Sequence, residues 1–386
     1  MLLEFSVTNF RSIKEKQTLS LLKTKKNELP NNFTTVTLST GKTLDVLNSA
    51  VIYGANASGK SNLLLAMGTM IGIINNDLFS FQLDSVEPFL LSTENKSLPT
   101  EFEIDFIGDG VRYVYGFSAI KNKIIDEWLY QYPKGRPQAL IERENTDSWG
   151  AMTALRGNKN TWQESTRDNS LFLTTAISLN AKKLIEIKAH IKTVFKLHEF
   201  QHIEDTQIFH QSKKLVIDFL QMADDAIIDF DIKESLERVE GDGYDISTYR
   251  QLENGNKIKF NFYNESKGTQ KIFYSSVYWI NALHRGLTLV LDELQNSLHP
   301  KLVEHLIKMF HDPEVNKKGA QLIFVTHETS LLDQEVFRRD QVWFCEKEDN
   351  ATELFSLADF SVRKGHENIE KFYLSGRYGA VPYLRN

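Results

Sequence analysis

Eight consecutive residues, Gly54-Ala55-Asn56-Ala57-Ser58-Gly59-Lys60-Ser61, carry the clearest chemistry in this chain. They follow an apolar run, Ala50-Val51-Ile52-Tyr53, and precede a helix-like stretch from Asn62 to Gly72. Glycines spaced this way between a strand and a helix, with a lysine and a hydroxyl at the end, form a loop that wraps phosphate. Backbone N–H groups turn inward around the anion, and the helix N-terminus adds a favourable dipole. Lys60 would reach the β- and γ-phosphates of a nucleotide, and the Ser61 hydroxyl would hold Mg²⁺. Gly54, Asn56, Ser58, Gly59 and Asn62 complete the expected contacts with ATP.

A second element lies far downstream, where Leu287-Thr288-Leu289-Val290-Leu291 ends in Asp292-Glu293. Such a run reads as a buried parallel strand with its acids at the carboxyl end, where open α/β sheets bind ligands. Asp292 suits the Mg²⁺ shell, directly or through water. Glu293 suits orienting or deprotonating an attacking water. Strands often end in solvated acids, but here the pair shares a chain with a phosphate loop.

Two weaker signals sit around that strand. Glu265-Ser266-Lys267-Gly268 opens a stretch in which Ile272, Phe273, Val277, Ile280 and Leu283 recur at helical spacing, with Gly286 as a natural C-cap. Gln321-Leu322-Ile323-Phe324-Val325-Thr326-His327 is another apolar strand, ending in a histidine. Alone, the first is a turn with an N-cap and the second a histidine at a strand edge. A GTPase base reader of the Asn-Lys-x-Asp kind is absent, since Asn122-Lys123-Ile124-Ile125-Asp126 is one residue too long and reads as strand.

The order of the four elements resembles ABC-type ATPases. The resemblance implies that Ser266 and Gly268 form a signature loop presented to the γ-phosphate of a nucleotide on a second subunit, and that His327 is a switch histidine. The opening Leu3-Glu4-Phe5-Ser6-Val7-Thr8-Asn9-Phe10-Arg11-Ser12 is similar to the first strand of SMC/RecF-like members. Leu291-Asp292-Glu293 followed by Ser297-Leu298-His299-Pro300 resembles the overcoming-lysogenisation (OLD) and RecF-like branch. Arg339-Asp340-Gln341-Val342-Trp343-Phe344 and Gly376-Arg377-Tyr378-Gly379-Ala380 look like stand-alone ATPases of bacterial anti-phage systems. Two positions depart from the pattern. Glu265 stands where many relatives carry an apolar residue, and Gln82 is the sole candidate for the glutamine that such enzymes link to Mg²⁺.

These elements need a scaffold, and the expected fold is α/β: an ABC-type P-loop core of mixed sheet and flanking helices. Residues 1–145 are expected to form its first half, 146–250 a compact, mostly helical insert, and 251–386 its second half. The insert is assigned from apolar positions at helical spacing, among them Leu171, Ile177, Leu184, Ile187 and Ile191. A hairpin is expected to turn at Glu253-Asn254-Gly255-Asn256. With 386 residues and 41% hydrophobic content the chain has ample core. It holds no run of eighteen apolar residues, so neither a membrane span nor an export signal is expected. The single cysteine, Cys345, suits a buried strand in a reducing cytoplasm and excludes a Cys-x-x-Cys zinc hook.

Net charge is −6, so there is no broad electrostatic footprint for nucleic acid. Lys188, Lys192 and Lys196 fall four apart, with Lys182, Lys183, Lys213 and Lys214 nearby; this is a phosphate-tracking stripe or an ordinary solvated helix face. No second cluster of metal-binding acids or histidines follows His327, so destructive chemistry is expected on a separate polypeptide. The leading expectation is a Mg²⁺-dependent ATPase, a homodimer or higher oligomer closing on ATP to control a separate effector, nuclease or toxin, in anti-phage defence. Two alternatives stand beside it: an ATP-bound scaffold or inhibitor with negligible turnover, and a RecF-like DNA-repair ATPase.

Overall fold

The computed structural model describes residues 1–75, 80–194, 196–197, 206–234, 244–361 and 368–382. Its centre is a six-stranded sheet in the order Lys196–Leu197, Thr288–Leu291, Gln321–Val325, Ser49–Gly54, Val342–Glu348, Ala351–Ser356. Neighbours run parallel except the final pair, a hairpin. That hairpin turns at Asp349 and Asn350, at φ 48° and 65°, as a type I′ turn requires. Ser49–Gly54 and Gln321–Val325 are buried along their whole length. This is why they read as unbroken apolar runs: a parallel strand is covered on both faces.

Alternation along each strand sorts its side chains between two cores. Ala50, Ile52, Ile323, Val325 and Cys345 face one; Val51, Tyr53, Leu322, Phe324 and Phe344 face the other. The first core is closed by a seven-stranded antiparallel sheet, ordered Ser148–Trp149, Gln138–Glu144, Lys123–Gln131, Val111–Ile120, Thr100–Gly108, Leu2–Thr8, Gln17–Ser20. It contributes Phe5, Phe102 and Phe117. The second core lies under the helices Lys213–Ala223, Lys267–Arg285 and Pro300–His311, with Phe219, Phe273, Trp279 and Phe310 at its centre. The phosphate-loop strand therefore has a complete hydrophobic layer on either side.

Buried polar side chains join the elements where the central strands begin, and each is paired, as burial demands. Ser49 Oγ lies 2.8 Å from His311 Nε2 and accepts from Gln341 Nε2 at 2.8 Å. Gln341 Oε1 accepts from the Arg338 amide and from Asn32 Nδ2. Gln321 ties the two sheets together, accepting from Leu2 N at 2.7 Å and donating to Leu2 O at 2.9 Å. Arg338 pairs with Asp340 through Nε and Nη2, both at 2.8 Å. The string around Arg339-Asp340-Gln341 thus serves architecture.

The stretch expected as a helical insert, 146–250, is helical only in part. Helices Lys159–Ser165, Phe172–Ser178, Lys182–Val194, Thr206–Gln211 and Lys213–Ala223 give way to strands Ile227–Glu234 and Tyr244–Gln251. With Lys257–Asn261 these strands make a three-stranded antiparallel sheet, and Gly255, at φ 83°, closes the turn expected at 253–256. Phe230 and Ile232 are buried two apart, with a register irregularity between Ile227 and Asp229, so the segment pairs as sheet. Nor does packing divide at 145 or 250. Leu171, Leu184, Ile187 and Ile191 belong to the first core, and Phe219, Leu220 and Phe230 to the second.

Candidate functional site

The phosphate loop leaves the carboxyl end of Ser49–Gly54 and enters the helix Lys60–Asn75. Gly54 passes so close to the neighbouring strand that a β-carbon would stand 2.3 Å from the Cys345 carbonyl oxygen. At Gly59, φ 108°, a β-carbon would lie 2.0 Å from Thr352 Oγ1 and 2.9 Å from Ser12 Oγ. Both positions therefore admit only glycine. Lys60 is buried, and its ammonium donates to the carbonyls of Gly54 at 2.9 Å and Ala55 at 2.8 Å. Burial lowers its pKa, and the carboxylates of Asp292 and Glu293 oppose that shift. Asn56 and Ser61 are exposed, whereas Ser58 is buried, its hydroxyl without a hydrogen-bond partner among the described residues.

The acids stand at the end of Thr288–Leu291, and His327 two residues past Gln321–Val325, the strand between them and the phosphate loop. His327 has its pKa lowered by partial burial and by the Lys60 charge, against the pull of Glu293 and Asp292. Lys60, Asp292, Glu293 and His327 are thus within electrostatic reach of one another. Glu293 adopts φ 52°, a left-handed conformation that costs a non-glycine residue about 1 kcal/mol or more. Its surroundings hold it there. Asn296 Nδ2 donates to the Glu293 carboxylate. Lys271 Nζ donates to the carbonyls of Asn296 at 2.7 Å, Leu294 at 3.3 Å and Glu293 at 3.4 Å. Burial brings the Lys271 ammonium down to about 8. On the other side, Thr326 Oγ1 donates to Gln295 Oε1 at 2.8 Å, tying the turn before His327 to the acidic loop.

The Ser-x-Gly turn starts a helix of nineteen residues, Lys267–Arg285. Ser266 is its N-cap, accepting from Thr269 N at 3.0 Å, and Gly286 closes it at φ 70°. Glu265, the departure noted above, is explained by its partner. Arg250 grips it in two-pronged fashion, Nη1 to Oε1 and Nη2 to Oε2, both at 2.8 Å, and this pairing holds the carboxyl below its ordinary pKa. The same guanidinium reaches Asp224 at the end of Lys213–Ala223. A charged residue is accommodated because the neighbouring sheet supplies a fixed counter-ion. Ser266 and Gly268 do not join the Lys60 group. They line a cavity of about 510 Å³ with Met222, Ser297, His299 and His305, in which Lys60, Asp292, Glu293 and His327 take no part.

Ser61 and Asp292 are exposed hard-oxygen donors beside the loop, and Mg²⁺ is commonly held by one or two such protein oxygens plus substrate phosphates. The donor set fits that ion. Gln82 has its side chain outside the described residues. Of the basic stripe, Lys188 is only 4% exposed while Lys182, Lys192 and Lys214 are exposed, so the lysines do not form one continuous solvated row; the Lys196 side chain lies outside the described residues. Lys213 is engaged by Asp229 at 2.8 Å. Sequence reasoning missed Lys271, Arg250, Asn296 and Thr352, which carry no motif, and left Ser12 without a role although it ends the Asn-Phe-Arg-Ser string.

The family model described as "AAA domain, putative AbiEii toxin, Type IV TA system" matches residues 49–333. The chain belongs to this family. The matched span takes in every site residue expected from the sequence, from Gly54 to His327. As a member of this AAA family the chain carries phosphate loop, acids and histidine on adjacent parallel strands. No curated protein matches it. Among solved structures, an SMC head bound to the C-winged helix domain of ScpA is 12% identical, covering 94% of this chain and 98% of that one, at TM-score 0.46. The SMC head domain from Thermotoga maritima is 12% identical, covering 94% and 99%, at TM-score 0.45. Among the described residues of the AAA protein, no helix is long and apolar enough to cross a membrane.

Proposed function

We propose that this protein is a Mg²⁺-dependent ATPase whose two copies close around two ATP molecules, and that this closure governs a separately encoded effector in bacterial anti-phage defence. The observation that carries the reading is the division of the site. Lys60, the two acids and His327 lie within electrostatic reach of one another at the ends of adjacent strands. Ser266 and Gly268 line a cavity with Ser297, His299 and His305. A nucleotide held at Lys60 would meet Ser266, Gly268 and the helix N-terminus only from a second copy.

In this reading the loop amides and Lys60 bind the triphosphate, with Asn56 and Asn62 at its rim. Mg²⁺ held by Ser61 and Asp292 neutralises phosphate charge when bound. Glu293, set in its left-handed turn by Asn296 and Lys271, accepts a proton from the water that attacks the γ-phosphate in line. His327 and Ser266 then face the γ-phosphate from opposite copies. The family's description as a putative toxin of a type IV toxin–antitoxin system supports work alongside a second gene product. Buried Lys188 interrupts the lysine stripe on which a DNA-tracking clamp would draw.

The test is ATP turnover by the purified protein and by Glu293→Gln, with the oligomer measured by light scattering. Loss of a general base lowers turnover by ~10²–10⁴-fold. Glu293→Gln should therefore retain ATP and collect as a dimer. A variant that hydrolyses ATP at the parental rate would reject Glu293 as the base, and an ATP-loaded monomer would reject the shared site.

A further inference from the structure

Four hydrogen bonds outside the sequence motif brace the phosphate loop. Asn62 Nδ2 donates to Ser12 Oγ at 2.7 Å, and Ser12 Oγ lies 2.8 Å from Thr352 Oγ1. Thr352 Oγ1 donates to the Ser58 carbonyl at 2.9 Å, and the Thr352 amide donates to the Ser12 carbonyl at 2.7 Å. The direction of this chain is fixed. A carbonyl only accepts, so the single Thr352 hydroxyl proton goes to Ser58 and Ser12 must supply its own proton to Thr352. Asn62, at the far end, satisfies Ser12. The chain thus spans from one side of Lys60-Ser61 to the other, using residues that lie 340 positions apart in sequence.

We propose that Ser12 and Thr352 are positioning residues for the phosphate loop, which orient the Ser58–Gly59 peptide so that its N–H faces bound phosphate. The reason is the geometry of a planar trans peptide, in which C=O and N–H point in opposite directions. Drawing the Ser58 oxygen toward Thr352 turns the Gly59 N–H the other way. The close approach needed for this leaves no room for a β-carbon at Gly59, 2.0 Å from Thr352 Oγ1. Around the brace the two sheets are sewn together: Gln17 Oε1 accepts from Leu354 N at 2.8 Å, and Gln17 Nε2 donates to Glu353 at 3.1 Å. The turn holding Ser12, the strand Gln17–Ser20 and the late hairpin therefore meet at the back of the loop. A displacement between the sheets would act on the same peptide.

The inference rests on the reading of the loop as an ATP site, and the experiment separates the two. ATP binding by the full chain with Mg²⁺ is measured by calorimetry for the parent, Thr352→Val, Thr352→Ser, Ser12→Ala and Lys60→Ala. Thermal midpoints are recorded without nucleotide. Thr352→Val keeps shape and removes the hydroxyl, so ATP affinity should fall about tenfold, the size of one lost hydrogen bond. Thr352→Ser should restore affinity to within about twofold, the bond being one of the neutral kind. Ser12→Ala should fall between them. Parental affinity in Thr352→Val, or equal losses in the Val and Ser variants, would overturn the positioning role. The same holds if affinity falls only in step with the thermal midpoint. A parent that binds ATP no better than Lys60→Ala would instead reject the ATP site itself.

Discussion

Acid should weaken this fold through one residue, His311. Its ring is fully buried beside Ser49 and Gln341, edge-on to Phe337 at 6.1 Å between centroids. Burial, aided by the Lys308 charge, pushes its pKa from the ordinary 6.5 down to about 3. The folded chain therefore refuses a proton that the unfolded chain accepts below pH 6.5. The contribution is fully present above that pH and is lost as pH falls from 6.5 toward 3. One pH unit is worth ~1.36 kcal/mol, so the step from pH 7 to pH 5 should cost about 2 kcal/mol from this ring alone. The assay is urea unfolding at both pH values for the parent and His311→Gln, whose amide still reaches Ser49 but does not titrate. The variant will be weaker at either pH because the ring is gone. Its loss between pH 7 and 5, however, should be smaller than the parent's by about 2 kcal/mol, other titrating groups being common to both. Equal losses in the two proteins would refute the argument.

Two further outcomes concern the site. Lys271→Met should lower kcat by about tenfold or more and leave KM for ATP near the parental value, because it frees the Glu293 loop and not the phosphate loop. In the parent, kcat should decline as pH rises through about 8, where Lys271 loses its proton; steady-state rates across pH 7 to 9.5 check both. Arg250→Ala leaves Glu265 without its two-pronged partner, a loss of roughly 2 kcal/mol or more at the signature turn. ATP-dependent dimerisation, followed by sedimentation, should weaken at least tenfold while ATP binding to the single copy is unchanged.

How much of this was legible beforehand depended on the range of the interaction. The phosphate loop, the acidic strand and the histidine strand each announce themselves within about ten residues, because an apolar run ending in a turn or an acid is set by local burial and local backbone demands. Their placement on adjacent parallel strands, by contrast, is set by pairing between segments far apart in the chain. In the stretch expected as a mostly helical insert, helix runs to Ala223 and sheet begins at Ile227. There only Phe230 and Ile232 alternate, and the local pattern is too short to stand out from the helical run before it.

The amino-acid sequence by itself picked out the candidate site residues, Lys60, Ser61, Asp292, Glu293 and, through the family resemblance, His327, and an α/β scaffold to carry them. Tertiary structure alone decided what holds those residues in register. Thr352 touches Ser58, Arg250 touches Glu265, and Lys271 touches the carbonyls behind Glu293. None of these pairs has a spacing that a motif could record, since a hydrogen bond needs only that two atoms come within about 3 Å when the chain has folded. Tertiary structure also decided where Ser266 and Gly268 sit. The helix they open is packed in the second core through Ile272, Phe273 and Trp279, and its first turns lie against the loop that follows Glu293.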